Sequence, residues 1–273
     1  MNPTNNPTKN PGALLLLPGL MCDAAVWAPL MSHLSPVRTC TVVDHGSAHS
    51  LVTMAQQLLA QAPEQFALAG HSMGARVALE VIRLAPQRVQ GVALLSTGYT
   101  ARAVGQSGQE EADKRQVLVD LARTQGVRAM ARVWVRGMVH PERLQQHPQD
   151  LALVESIVQM FERKSADIFE RQVQALLNRP DGSAVLTQLT VPTLVLCGRQ
   201  DSWAPPDQHQ AMHRLVNGRW HAEGRETLSG APRRTVEPAT LAIIEDAGHM
   251  APMEQPAAVA NALLHWLGRL QAA

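Results

Sequence analysis

Phe66-Ala67-Leu68-Ala69-Gly70-His71-Ser72-Met73-Gly74-Ala75-Arg76-Val77-Ala78-Leu79-Glu80 sets a serine, fenced by two glycines, between two apolar runs of different character. Before Gly70 the run is continuous and short, as in a strand buried on both faces. After Gly74 it reads as a helix. A strand passing straight into a helix through Gly-x-Ser-x-Gly must make a strained, tight turn. The small residues permit that turn, which lifts the Ser72 hydroxyl above the sheet edge. The helix N-terminus then lies beneath the oxygen, and its free N–H groups, Met73 first, favour negative charge beside the serine. Glycine-rich strand-to-helix turns also occur in nucleotide-binding folds, but this one lacks the lysine of a P-loop and the third glycine of a dinucleotide fingerprint.

Outward from this stretch the same alternation repeats. Ala13 to Leu17, Val37 to Val43, Gln65 to Ala69, Gly91 to Ser96, Thr193 to Cys197 and Leu241 to Glu245 read as buried strands. Helical segments lie between them, at Ala24 to His33 and Leu51 to Gln61, and Gln255 to Arg269 reads as a closing amphipathic helix. The pattern predicts an α/β fold with a mostly parallel central sheet of about six strands flanked by helices. From Ala101 to Leu189 there is no strand candidate, only helical periodicity at Asp113 to Arg123, Val127 to Met138, Asp150 to Phe161 and Ala166 to Leu177. Residues 101–189 are therefore expected to form an all-helical cap inserted into a core built from 1–100 and 190–273. Asn217 to Pro238, rich in Gly, Arg, Pro and Thr, reads as a long surface loop, and the polar, proline-rich start as a tail.

Composition narrows the classes. The chain has 273 residues, enough for one large core, and 24 basic against 23 acidic side chains leave a net charge of +1. That balance gives no electrostatic reason to expect nucleic acid or a membrane surface as partner. Leu14 to Leu17 is too short for a signal-peptide core, and no apolar run approaches the roughly 20 residues of a membrane span, so a soluble, cytoplasmic protein is expected. Its three cysteines, Cys22, Cys40 and Cys197, read as thiols.

A serine hydroxyl is a poor nucleophile at neutral pH; it needs a base in hydrogen-bond reach and a third group to orient that base. Asp201, in the turn CGRQDSWAPP, and His249, in EDAGHMAPMEQP, each follow a predicted strand at its C-terminal end, the edge where open parallel sheets gather their sites. Asp207 and Asp246 are alternative acids, though Asp207 reads better as a first-turn helix charge. With LLLLPGL, GHSMG, NRPDGSAVLTQLTVP, GRQD and GHMAPMEQP in this order, the chain resembles the α/β-hydrolase family over almost its whole length. The resemblance implies Ser72 as nucleophile, His249 as general base and acid, and Asp201 as orienting carboxylate. It also implies an oxyanion hole from the backbone N–H groups of Leu20 and Met73, with Pro18 where relatives commonly carry a histidine.

Other residues have two readings each. His71 either faces the cap or packs beside the elbow, and Arg76, four residues past the serine, reaches the site edge or pairs with a surface acid. Met130, Trp134 and Met138 line a pocket or form the cap's own core; Trp203 stands in the acid turn as a further candidate contact. Arg128, Arg132 and Arg136 form a solvated stripe, or one of them meets an anionic substrate. Cys22 is a loop or core thiol, or a reactive one. His45, His49 and His221 show no partner spacing, and neither a metal site nor a cofactor is expected. The expected activity is hydrolysis of a carboxylic ester or related small acyl substrate through an acyl-enzyme. Carbon-carbon hydrolysis, thioester cleavage and lactone opening remain open. So does a lyase step like that of menaquinone-pathway synthases, which share Ser-Met-Gly-x-Arg. A non-catalytic ligand receptor on the same scaffold is the alternative from another class.

Overall fold

A computed structural model describes residues 12–145, 147–223 and 239–271 of the chain. The tail before residue 12 and residues 224–238 of the expected surface loop lie outside them.

Six strands, β1 (Ala13–Leu17), β2 (Thr39–Val42), β3 (Phe66–His71), β4 (Val89–Leu95), β5 (Thr193–Gly198) and β6 (Ala239–Ile244), form one sheet in the order β2-β1-β3-β4-β5-β6. Every neighbouring pair is parallel. The central strands β3 and β5 are buried along their whole length, as continuous apolar sequences require, whereas β2 and β6 have one neighbour each and are only partly covered.

Helices α2 (Leu51–Gln61), α3 (Met73–Leu84), α8 (Ser183–Gln188) and α9 (Pro206–Glu223) pack in one contiguous layer; α11 (Pro256–Gln271), packed on the one-turn helices α1 (Met31–Leu34) and α10 (Ala251–Glu254), covers the other face. Right-handed crossovers explain the division. The chain steps one way from β1 to β2 and the opposite way from β2 onward, so the connections fall on opposite faces. The reversal leaves a crevice beyond the C-terminal ends of β1 and β3, where such sheets place their sites.

Between β4 and β5 the chain builds α4 (Gln106–Gln125), α5 (Val127–Trp134), α6 (Pro148–Glu162), α7 (Ala166–Leu177) and α8. Helix α4 begins seven residues before the apolar periodicity that starts at Asp113. Side-chain pairs one turn apart, Gln106 to Glu110, Gln109 to Asp113 and Gln116 to Asp120, sustain this polar helix instead.

Three sequence expectations are corrected. Ala24 to His33 is not one helix but two 3-10 turns, Ala24–Val26 and Ala28–Leu30, leading into α1, because Pro29 has no N–H for a continuous ladder. The α-helical part of Val127 to Met138 ends at Trp134 and tightens to a 3-10 turn over Val135–Gly137. The expected loop from Asn217 is helical through Glu223, and β6 begins at Ala239 rather than Leu241. Asn217 fixes both ends of that connection. Its amide oxygen accepts the Ala239 N–H at 3.0 Å and its amide nitrogen donates to the Ala239 carbonyl at 3.2 Å.

Candidate active site

Ser72 sits between β3 and α3 at φ 54°, ψ −115°, a conformation that non-glycine residues avoid. Two close approaches hold it there. A Cβ on Gly74 would stand 2.1 Å from the Leu17 carbonyl oxygen, and one on Gly70 would stand 2.5 Å from the Ala75 backbone. The helix therefore abuts the end of β1 directly, and Gly74→Ala is expected to destabilise the fold by about 3 kcal/mol, the upper end of overpacking penalties, because backbone must yield. Urea unfolding of the variant measures this. Among the described residues the other non-glycine residues with positive φ are Met21, Ser96 and Asp246. They follow β1, β4 and β6, so the strained positions gather at the C-terminal edge of the sheet.

The same edge brings Ser72, His249 and Asp201 together. The Ser72 hydroxyl donates to His249 Nε2 at 2.9 Å, and His249 Nδ1–H lies 3.0 Å from both carboxylate oxygens of Asp201. A carboxylate only accepts, so the proton sits on Nδ1 and Nε2 carries the lone pair facing the serine. Asp201 is buried and also accepts the N–H groups of Trp203 (3.0 Å) and Ala204 (2.9 Å). Burial alone would raise its carboxyl, but the charge and hydrogen bond of His249 and the Ala204 N–H hold it below the ordinary carboxylate value. Asp207 and Asp246 are both exposed, and neither is hydrogen-bonded to His249.

The loop after β1 closes the other side of the serine. A Cβ on Gly19 would meet the Ser72 Cβ at 3.2 Å and His71 Nδ1 at 2.9 Å. Among the described residues neither the Leu20 nor the Met73 N–H is committed to a protein acceptor, which leaves two donors free beside the hydroxyl. Pro18 is secured from outside: buried His45 donates from Nε2 to the Pro18 carbonyl at 3.0 Å. The next N–H, Met21, donates to Gln172 of α7 at 2.9 Å, so the inserted helices grip this loop directly.

His71 is fully buried and donates from Nε2 to the His249 carbonyl at 2.8 Å; it packs beside the elbow and holds the backbone of the histidine loop. Burial, and secondarily the charge of His249, pushes His71 down to about 4, so it stays neutral. Glu254 holds that loop from the opposite direction, its carboxylate accepting the Gly248 N–H at 2.9 Å and the His140 N–H at 2.7 Å. Met250 N–H donates to the Met138 carbonyl, and Ser202 Oγ–H to the Gly137 carbonyl. Segment 137–140 of the insertion is thus docked on both the acid turn and the histidine loop. Of these supports only His71 is evident in the sequence as a neighbour of the serine; His45, Gln172 and Glu254 have partners 27, 151 and 114 residues away.

An inner chamber of about 90 Å³ is lined by Ser72, His71, Met73, His249, Leu20, Arg76, Trp134, Met138 and Trp203, among others. It adjoins an outer cavity of about 700 Å³ that shares Leu20, Arg76, Arg115, Trp134, Leu176 and Trp203. Trp134 packs edge-on against Trp203, with ring centroids 6.1 Å apart, and against Phe161 and Phe169 on its other sides. Met130 lines neither chamber. It is fully buried on α5, which packs between α4 and α6, and belongs to the core of the insertion. Arg128, Arg132 and Arg136 stay outside too, with Arg128 ion-paired to Glu155 and, at 2.6 Å, to Glu162. Cys22 lines the inner chamber, but burial and the neighbouring Asp23 push its thiol up to about 12, leaving it protonated. No group of three or more metal-ligating side chains occurs among the described residues, and no helix there is long and apolar enough to cross a membrane.

A six-stranded parallel sheet carrying a serine at a strained strand-to-helix turn defines an α/β hydrolase, and the model of the alpha/beta hydrolase family matches residues 14–262. The chain belongs to that family. It is 26% identical over 231 residues to the pimeloyl-[acyl-carrier protein] methyl ester esterase of Yersinia pseudotuberculosis, covering 80% of this chain and 84% of that one. Among solved structures it is similar to a thermophilic esterase from Thermogutta terrifontis, with a TM-score of 0.74, 24% identity and coverage of 94% and 90% of the two chains. It is also similar to the enol-lactonase from Burkholderia xenovorans LB400, with a TM-score of 0.75, 18% identity and coverage of 94% and 91%. At these identities the structural likeness speaks for the fold.

Proposed function

We propose that the protein hydrolyses carboxylic esters of small acyl substrates through an acyl-enzyme, without a cofactor. The observation that carries this reading is the 2.9 Å contact between the Ser72 hydroxyl and His249 Nε2, with Asp201 on the other ring nitrogen. In the first half-reaction Ser72 Oγ attacks the ester carbonyl as His249 Nε2 takes its proton; the same proton then goes to the departing alkoxide. Water, deprotonated by His249, attacks the acyl-enzyme in the second half and regenerates the Ser72 hydroxyl. The Leu20 and Met73 N–H groups stabilise the oxyanion in both halves, roughly a hundredfold or more each. Asp201, anionic by the causes given above, keeps the proton on Nδ1 and stabilises the imidazolium. The insertion over 101–189 acts as a cap, supplying Trp134 and Met138 to the wall of the chamber.

The family and the esterase relative support ester hydrolysis as the reaction class. A fluorophosphonate probe tests the nucleophile. The expected result is a single adduct mapped to Ser72 by peptide mass spectrometry, absent in Ser72→Ala, together with turnover of short alkyl esters. Ligand binding without labelling or turnover would favour a receptor on the same scaffold.

A further inference from the structure

Three guanidinium groups meet where the inner chamber opens into the outer cavity. Arg76 comes from α3, one turn past Ser72, Arg115 from α4, and Arg179 from the segment after α7. Two of them share one carboxylate. Glu111 receives both arms of Arg179, at 2.7 and 2.8 Å, and also Arg115, at 3.0 Å. Arg76 receives none. It donates from Nη1 to the Thr100 carbonyl at 3.0 Å, an acceptor that Arg179 also uses, at 3.2 Å. The other nearby acid, Asp181, is occupied by the N–H groups of Ala101 and Ser183.

A half-buried guanidinium that bonds no carboxylate and has two more guanidiniums beside it is unfavourable, and Glu111 and Asp181 offset this only through space. Burial, then the charge of Arg179, push Arg76 below its ordinary value, which expresses that cost, since arginine does not deprotonate in proteins. Trp134, whose buried indole N–H has no acceptor among the described residues, lines the same two chambers. The whole outer wall leans positive: Arg76, Lys114, Arg115 and Arg179 face Glu110 and Glu111.

We infer that Arg76 and Arg115, with Arg179 behind them, receive a carboxylate borne by the acyl part of the substrate, which makes half-esters of short dicarboxylic acids the preferred substrates. This rests on Ser72 being the nucleophile. Position sets the length. Arg76 is one turn along the helix from Ser72, on the same face, and both line the small inner chamber, so a short acyl chain spans them. A paired guanidinium fork suits the planar, two-oxygen geometry of a carboxylate better than a point charge would.

The test compares monomethyl glutarate and monomethyl adipate with methyl hexanoate, following proton release in a pH-stat. Wild type is expected to show kcat/KM at least tenfold higher for the acids. Arg76→Met should lower the acid-to-neutral ratio by at least tenfold, and Arg76→Lys should restore part of it. Glutarate should bind saturably to Ser72→Ala by calorimetry and lose that binding in Ser72→Ala combined with Arg76→Met. If Ser72 is labelled by the fluorophosphonate but wild type prefers the neutral ester and glutarate does not bind, the carboxylate site is wrong while the nucleophile stands. If glutarate binds as described but Ser72 is never labelled, the anion site stands and the hydrolytic reading falls.

Discussion

Ser72→Ala is expected to lower kcat on its best ester by about a millionfold, and Asp201→Asn by about ten-thousandfold, with the fold of each intact. The alanine variant has no oxygen at the position 2.9 Å from His249 Nε2, so covalent catalysis is lost while the Leu20 and Met73 donors remain. The asparagine variant acts more indirectly. The Asp201 oxygens accept from His249 Nδ1, Trp203 N and Ala204 N; an amide cannot accept at both positions, and its NH2 group would face Nδ1. The imidazole then places its proton on Nε2, toward the serine, and loses its function as a base. Because the three groups act as a unit, the double variant should be little worse than Ser72→Ala alone. Steady-state kinetics of the two single variants and the double variant check all three statements. Losses that multiply across the double variant would mean that Asp201 acts through something other than His249.

The second large effect concerns acid stability. Burial holds His45, His71 and His209 neutral, each lowered from 6.5 to about 4. Each is committed through its neutral form: His45 to the Pro18 carbonyl, His71 to the His249 carbonyl, and His209 Nε2 as acceptor of the Thr97 N–H, at 3.1 Å. Between pH 4 and 6.5 the unfolded chain takes up protons at these sites and the folded chain does not, so stability falls as pH falls through that window. Each site contributes up to about 3 kcal/mol, and together they are enough to unfold a domain of ordinary stability before pH 4. Glu254 works against this trend. Burial raises it from 4.5 to about 7, despite the His140 and Gly248 N–H groups, and a raised carboxyl favours folding at low pH and loses that contribution as pH rises toward 7. Urea midpoints at pH 7.5, 6 and 5 should therefore drop steeply for wild type, and more steeply still for Glu254→Gln. A midpoint that holds constant over this range would mean that the three histidines are solvated. Because these groups hold the loop after β1, the His249 loop and Thr97, whose hydroxyl donates to the Ser72 carbonyl, activity should be lost together with structure as the solution is acidified.

How much of this was legible in the sequence differs from residue to residue. Strand β3 and helix α3 were readable because their apolar patterns are local, and Gly-x-Ser-x-Gly between them specifies one backbone turn. Ser72, Asp201 and His249 were readable as candidates because each follows a strand pattern, and a parallel sheet sends all such ends to one edge. The Ala24 to His33 segment was misread because apolar spacing does not register the N–H missing from Pro29. The polar first turns of α4 were invisible for the opposite reason, since they rest on side-chain pairs and not on an apolar stripe.

The sequence by itself determined the alternation of strand and helix, the elbow, and the order of serine, acid and histidine, because each depends on contacts within a few residues. Only the tertiary structure decided which arginines line the cavity. Arg128, Arg132 and Arg136 form the regular stripe, yet they lie outside the cavity, while Arg76, Arg115 and Arg179 share no spacing and line it. Likewise Glu254 reached His140 and Gln172 reached Met21 only through packing of the insertion on the sheet. Charge and hydrogen-bond partners more than a hundred residues apart leave no periodic trace, because what selects them is burial at a shared surface that exists only once the chain has folded.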